Sequence, residues 1–207
     1  MNDTARLETF SDGVLAIAIT LLVLDLKVPN REALDGSLGQ ALARQWPSYV
    51  AYLVSFLVIG IIWVNHHAMF TLIARVDRSL LFLNLLLLLV VAATPFPTAL
   101  LAEYLTAGRD SHLAAAVYSG TMLAMSIAFL LLWENVTRNG HLLHKHVDRL
   151  AARAAMRRFG VGLVIYLGTI GLSFVSAVLT LGAHLVIALY YCFDQLSSRE
   201  VKRVEAD

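Results

Sequence analysis

Few residues in this chain can do chemistry, and they sit inside apolar sequence. Asp12 ends the stretch RLETFSD, residues 6 to 12, and the oily run GVLAIAIT follows at once. Arg6, Thr9 and Ser11 share that stretch. A second group, Trp63, Asn65, His66 and His67, occupies WVNHH at 63 to 67. An ionised carboxylate in hydrocarbon is costly unless it is paired or wetted. Three uses are open to Asp12: charge that favours a helix N-terminus, attraction of cations to a pore mouth, or proton exchange with His66 or His67. Ser11 and Thr9 are also candidate helix caps. The two adjacent histidines point about 100° apart on a helix, which suits one metal poorly. His141, His144 and His146 read as an interfacial group. No metal site and no cofactor is expected. The histidines lack the dense, repeated spacing of a metal-dependent oxidase, and no serine stands with a partnered base, so the chain is not expected to be an enzyme.

The elements that carry these residues are set by composition. Of 207 residues, 58 % are hydrophobic and 15 % charged, with a mean hydropathy of +0.71. That balance reads as an integral membrane protein. The net charge of +1 comes with no basic patch interleaved with aromatics, so nucleic acid is not an expected partner. Cys192 stands alone and reads as a small packing residue. The start, MNDTARLE, lacks the basic opening of a signal peptide, so the first apolar segment is expected to be retained.

A spanning helix needs roughly 20 apolar residues. Six segments qualify, at about 7–26, 47–73, 80–104, 112–134, 158–181 and 183–196. The expected fold is all-α, a single domain over 1–207 with six transmembrane helices. The sixth is short and carries Asp194. Six spans put both termini on one side, with twelve of the sixteen Lys and Arg residues. The other side holds Lys27, Arg31, Arg44 and Arg109. That bias predicts cytoplasmic termini. The turn between the last two spans is expected at Gly182. Residues 135–157 read as a cytoplasmic interfacial linker containing a basic amphipathic helix, and SSREVKRVEAD as a solvated tail.

In this orientation the first span starts inside and the second ends inside. Asp12 and WVNHH then lie at equal depth, with a histidine, Asn65 and the Trp63 indole as candidate donors to the carboxylate. Pro95 and Pro97 in TPFPT break the backbone ladder of the third span, giving either a packing kink or a functional hinge. On the first span Gly13, Ile17, Thr20, Leu21 and Leu24 share a face. Such a stripe packs, faces lipid, or lines a path. No TVGYG-type carbonyl filter is present, so any path must be lined by whole helices. Asp25 near the outer end is a further candidate for drawing cations, opposed by Lys27.

RLETFSD resembles the arginine-x-x-x-phenylalanine-serine-aspartate signature of the family of the lysosomal potassium channel, transmembrane protein 175, and its bacterial relatives. WVNHH, TPFPT and the six-helix layout are similar to that family over essentially the whole chain. The resemblance implies a single-repeat bacterial member of the plasma membrane, a homotetramer with the first helix of each subunit around the pore. It implies potassium as the permeant ion, and copies of the chain, potassium ions and membrane lipid as partners. The narrowest layer would be Ile17, with Leu21 and Leu24 as further apolar layers and Thr20 contributing to selectivity. Arg6, Phe10, Ser11 and Asp12 would pin the inner end of the pore helix to Trp63, Asn65, His66 and His67. An apolar constriction gates by dewetting and makes an ion shed water, which potassium does more readily than sodium. The expectation is a leak-type potassium-selective channel. A proton-coupled or proton-conducting transporter is the alternative, although no half-repeat matches the proline-broken helix.

Overall fold

Backbone crossing hydrocarbon must satisfy its own hydrogen bonds, so long apolar runs fold as helices. The computed structural model describes residues 3–30 and 36–194. Over them the chain is all-α, with helices α1 (Asp3–Leu21), α2 (Leu38–Arg44), α3 (Trp46–Phe70), α4 (Arg78–Ala93), α5 (Pro95–Tyr104), α6 (Arg109–Arg138), α7 (Arg149–Ser173) and α8 (Ala177–Asp194). A 3-10 turn, Leu22–Asp25, extends α1. Four stretches are long and apolar enough to cross a membrane: Thr4–Asp25, Trp46–Phe70, Arg78–Tyr104 and Arg109–Arg138. The apolar parts of the last two helices are shorter, Gly162–Ser173 and Ala177–Cys192.

α6 is the central post. It packs on α4, α5, α7 and α8, and its Tyr118, Met122, Met125 and Leu132 are among the largest fully buried side chains. α1 leans on α3 and α4 at the edge of the bundle. Its buried face is Leu7, Ser11, Leu15, Ala18 and Leu22, a helical repeat of three and four.

The third apolar run is two helices that meet at Thr94. Pro95 brings no N–H to the Val91 carbonyl, which takes the Thr94 N–H at 3.1 Å instead, and two threonine hydroxyls add bonds at the break. The Thr94 hydroxyl donates to the Val90 carbonyl at 3.0 Å, and the Thr98 hydroxyl to the Thr94 carbonyl at 2.8 Å.

Two expected boundaries differ. The turn between the last two helices lies at residues 174–176, and Gly182 is inside α8. Gly is tolerated within membrane helices, whereas Ser176 caps the start of α8: its Oγ accepts the Leu179 N–H at 3.3 Å. The interfacial linker 135–157 holds no separate helix. Its first residues continue α6 to Arg138, and its end opens α7 at Arg149, where the Asp148 side chain caps the Leu150 N–H at 2.8 Å. Between them the chain folds back on the α3–α4 connection. The N–H groups of Ala74 and Arg75 donate to the Leu142 carbonyl at 2.7 and 3.2 Å, and that of His144 to the Leu72 carbonyl at 3.0 Å. These bonds bury Leu142 and Leu143. Arg31, Arg199, Lys202, Arg203, the last two residues of the expected span 183–196 and the expected tail lie outside the described residues, as do the side chains of Arg157 and Arg158.

Candidate functional site

The N-terminal end of α1 is held by three contacts, one on its buried face and two on the side that turns to α3. On its buried face the Ser11 hydroxyl donates to the Leu7 carbonyl at 2.9 Å. Its oxygen must then accept from Asn84 Nδ2, also at 2.9 Å. That leaves the Asn84 Oδ1 facing His66 Nε2 at 2.8 Å. A carbonyl oxygen only accepts, so His66 Nε2 carries a proton and donates it. Each bond in the row sets the polarity of the next. Ser11, Asn84 and His66 are all fully buried, and the His66 ring stacks on Phe70 with centroids 4.2 Å apart.

The second contact is the Trp63 indole N–H, which donates to Asp12 Oδ1 at 2.9 Å. Of the donors open to this carboxylate, the indole takes it. The third is His67 Nδ1 against Glu8 Oε1, also 2.9 Å apart. This pair is partly solvated, with side-chain exposures of 59 % and 26 %, and such pairs contribute at most about 1 kcal/mol.

The remaining residues of the two motifs lie elsewhere. Asn65 is on another side of α3, where it lines a cavity with Met122, Ser126, Tyr166 and Tyr191. Arg6 and Phe10 line a cleft against the start of α4. Thus Asn65, Arg6 and Phe10 are not part of the hydrogen-bonded row. Glu8 and Asn84 complete the contacts, and neither is apparent from the motifs. Asn84 has a sequence signal, since it is the one polar residue in LLFLNLLLLLV.

The opposite face of α1 is bare. Ile17 is 61 % and Leu24 71 % exposed, and Phe10 and Leu21 are also exposed. Gly13 is exposed too, and a Cβ built there would meet nothing within 4 Å. Thr20 shares this face. Its hydroxyl hydrogen is directed back at its own helix, with the Ala16 and Ile17 carbonyls at 3.0 and 2.9 Å. The oxygen's lone pairs therefore remain available outward. Beyond the C-terminal end of α1 Lys27 meets Glu103 at 3.5 Å, with both side chains well exposed.

Deeper in the bundle Thr98 has a second role. Ser55 on α3 lies 2.8 Å from the Thr98 Oγ1 on α5 and 3.0 Å from the Tyr118 Oη on α6. The proline-broken segment is thereby tied to two other helices by a fully buried hydroxyl cluster.

Comparison with known proteins agrees with the motifs. The family model for the endosomal/lysosomal potassium channel TMEM175 matches residues 6–95. A potassium channel of Streptomyces collinus is 61 % identical over 95 % of this chain and 95 % of its own length. The chain belongs to the TMEM175 family. It is an integral membrane protein. The crystal structure of a lysosomal potassium-selective channel TMEM175 homolog from Chamaesiphon minutus superposes with a TM-score of 0.83 at 42 % identity, covering 93 % of this chain and 97 % of that one. The endosomal/lysosomal proton channel TMEM175 of Gallus gallus is 40 % identical over 48 % of this chain, which spans only 21 % of that longer TMEM175 protein.

Proposed function

We propose that the chain is one subunit of a homotetrameric, potassium-selective leak channel, with no enzymatic activity. The chain crosses the membrane six times, with α4 and α5 together as one span, and both termini are cytoplasmic. α1 of each copy lines the pore. Ile17 forms the narrowest layer, Leu21 and Leu24 form further apolar layers, and Thr20 presents oxygen next to the constriction. Ser11, Asp12, His66, His67 and Trp63 anchor the inner end of α1, and Pro95 and Pro97 set the break in the third span. The observation that carries this reading is the asymmetry of α1. One face is sealed against α3 and α4, while Ile17 and Leu24 on the other are 61 % and 71 % exposed. The family's potassium channels support the choice of ion.

Purified protein in planar bilayers, with potassium and sodium on opposite sides, tests the reading. The wild type is expected to pass potassium in preference to sodium. Ile17→Asn places an amide at the constriction, wets it, and is expected to raise conductance while eroding selectivity. Unchanged current in Ile17→Asn would remove α1 from the pore.

The alternative is proton conduction or proton coupling. The Glu8–His67 pair beside the Asp12–Trp63 bond at the inner end of α1 favours it, as does the proton-channel relative. A reversal potential that follows a pH gradient at symmetrical potassium would establish it.

A further inference from the structure

Where α1 and α4 begin, a cleft of about 500 Å³ opens between them, lined by Arg6, Leu7, Phe10, Arg78 and Leu81 among others. Its charge is unbalanced. Asp77 also lines it, its carboxylate bonded to the Leu80 N–H at 2.7 Å, so Arg6 and Arg78 leave the cleft with one positive charge in excess. Among the described residues neither Arg6 nor Arg78 has an ion pair. The Arg78 guanidinium lies over the Phe82 ring, 5.6 Å from its centroid, an arrangement that leaves N–H donors free.

The surface below Arg78 is a track. Phe82, Leu85 and Leu89 follow it at helical spacing and are 60 %, 46 % and 66 % exposed. From Arg78 to Leu89 the helix rises about 16 Å, close to the depth of one leaflet's hydrocarbon, about 15 Å. A net positive cleft above an exposed apolar helix face of this length has the proportions of a single phospholipid. We propose that this cleft binds an anionic glycerophospholipid, its phosphate between Arg6 and Arg78 and an acyl chain along Phe82, Leu85 and Leu89. The bound lipid bridges α1 to α4 at the end where Ser11 meets Asn84. A second copy of the chain, which in a ring would turn a different surface to the cleft, is the rival occupant that the oligomer readout below separates. Glu8 and Asp12 on α1 do not line the cleft; they bond to His67 and Trp63 on α3.

The test needs no ion current, so it is independent of the proposed conduction. The detergent-purified full chain is titrated with phosphatidylglycerol or phosphatidylcholine, and bound lipid is counted by native mass spectrometry. Phosphatidylglycerol is expected to be retained over phosphatidylcholine. Arg78→Gln should lower that retention about fivefold, the effect expected for one basic group at an anionic headgroup, and Arg6→Gln should do likewise. Arg75→Gln and Lys145→Gln, basic but outside the cleft, should change it less than about twofold. Native mass spectrometry of the same samples reports the oligomer, so a misfolded variant is recognised. Three results overturn the proposal: equal losses in all four variants, which means diffuse attraction; displacement of the lipid by millimolar inorganic phosphate, which means a free-anion site; or loss of oligomer in Arg78→Gln with lipid retention unchanged, which means a contact between copies.

Discussion

Asn84→Leu tests how the N-terminal end of α1 is held. The substitution keeps the number of side-chain heavy atoms and removes both polar ones. It deletes the bond from Asn84 Nδ2 to Ser11 at 2.9 Å and the bond from His66 Nε2 to Asn84 at 2.8 Å. Interhelical hydrogen bonds in membrane proteins average about 0.6 kcal/mol and reach about 1.7. Ser11 keeps its donation to Leu7, but His66, fully buried, is left with an N–H and no acceptor, which costs about 1–3 kcal/mol. The expected loss is about 2–4 kcal/mol. Trp63→Phe makes the internal control. It removes one bond to Asp12 from an indole that is 47 % exposed, so water replaces the partner and the loss should stay near or below about 1 kcal/mol. Equilibrium unfolding in mixed micelles with increasing dodecyl sulfate, followed by circular dichroism, gives both values. Adding Ser11→Ala to Asn84→Leu should cost little more, because the bond between them is already gone. The reasoning fails if Asn84→Leu unfolds within about 0.5 kcal/mol of wild type, or if Trp63→Phe is the more damaging change.

Gly13→Leu is expected to leave the fold of the subunit intact, since a Cβ there meets nothing within 4 Å, while crowding the proposed axis. Size-exclusion chromatography in mild detergent should show tetramer giving way to smaller species at wild-type helicity. Thr98→Val removes the contact to Ser55 and the local donation to Thr94 at the proline break. A loss of about 1–2 kcal/mol in the same unfolding experiment is the expected outcome, and Thr121→Val, a more exposed threonine bonded only to its own helix, should lose less.

The apolar content and the length of the apolar runs were enough to place the chain in a membrane and make it helical, because hydrocarbon leaves the backbone no other partner. RLETFSD with WVNHH was enough to name the family. Which partners those motif residues take was decided by packing. Periodicity cannot tell the two faces of α1 apart, because Leu15 and Leu22 on one and Ile17 and Leu24 on the other are equally apolar, and lipid competes with protein for both. Asn84 joins Ser11 only because α1 and α4 cross where they do, and Asn65 turns away because α3 presents His66 to α4 instead. The return of residues 139–148 onto the α3–α4 connection rests on backbone carbonyls, which side-chain pattern does not record. Sequence sets what each helix can bury. The crossing of the helices decides which buried polar atom meets which, because that choice depends on distances between segments far apart in the chain.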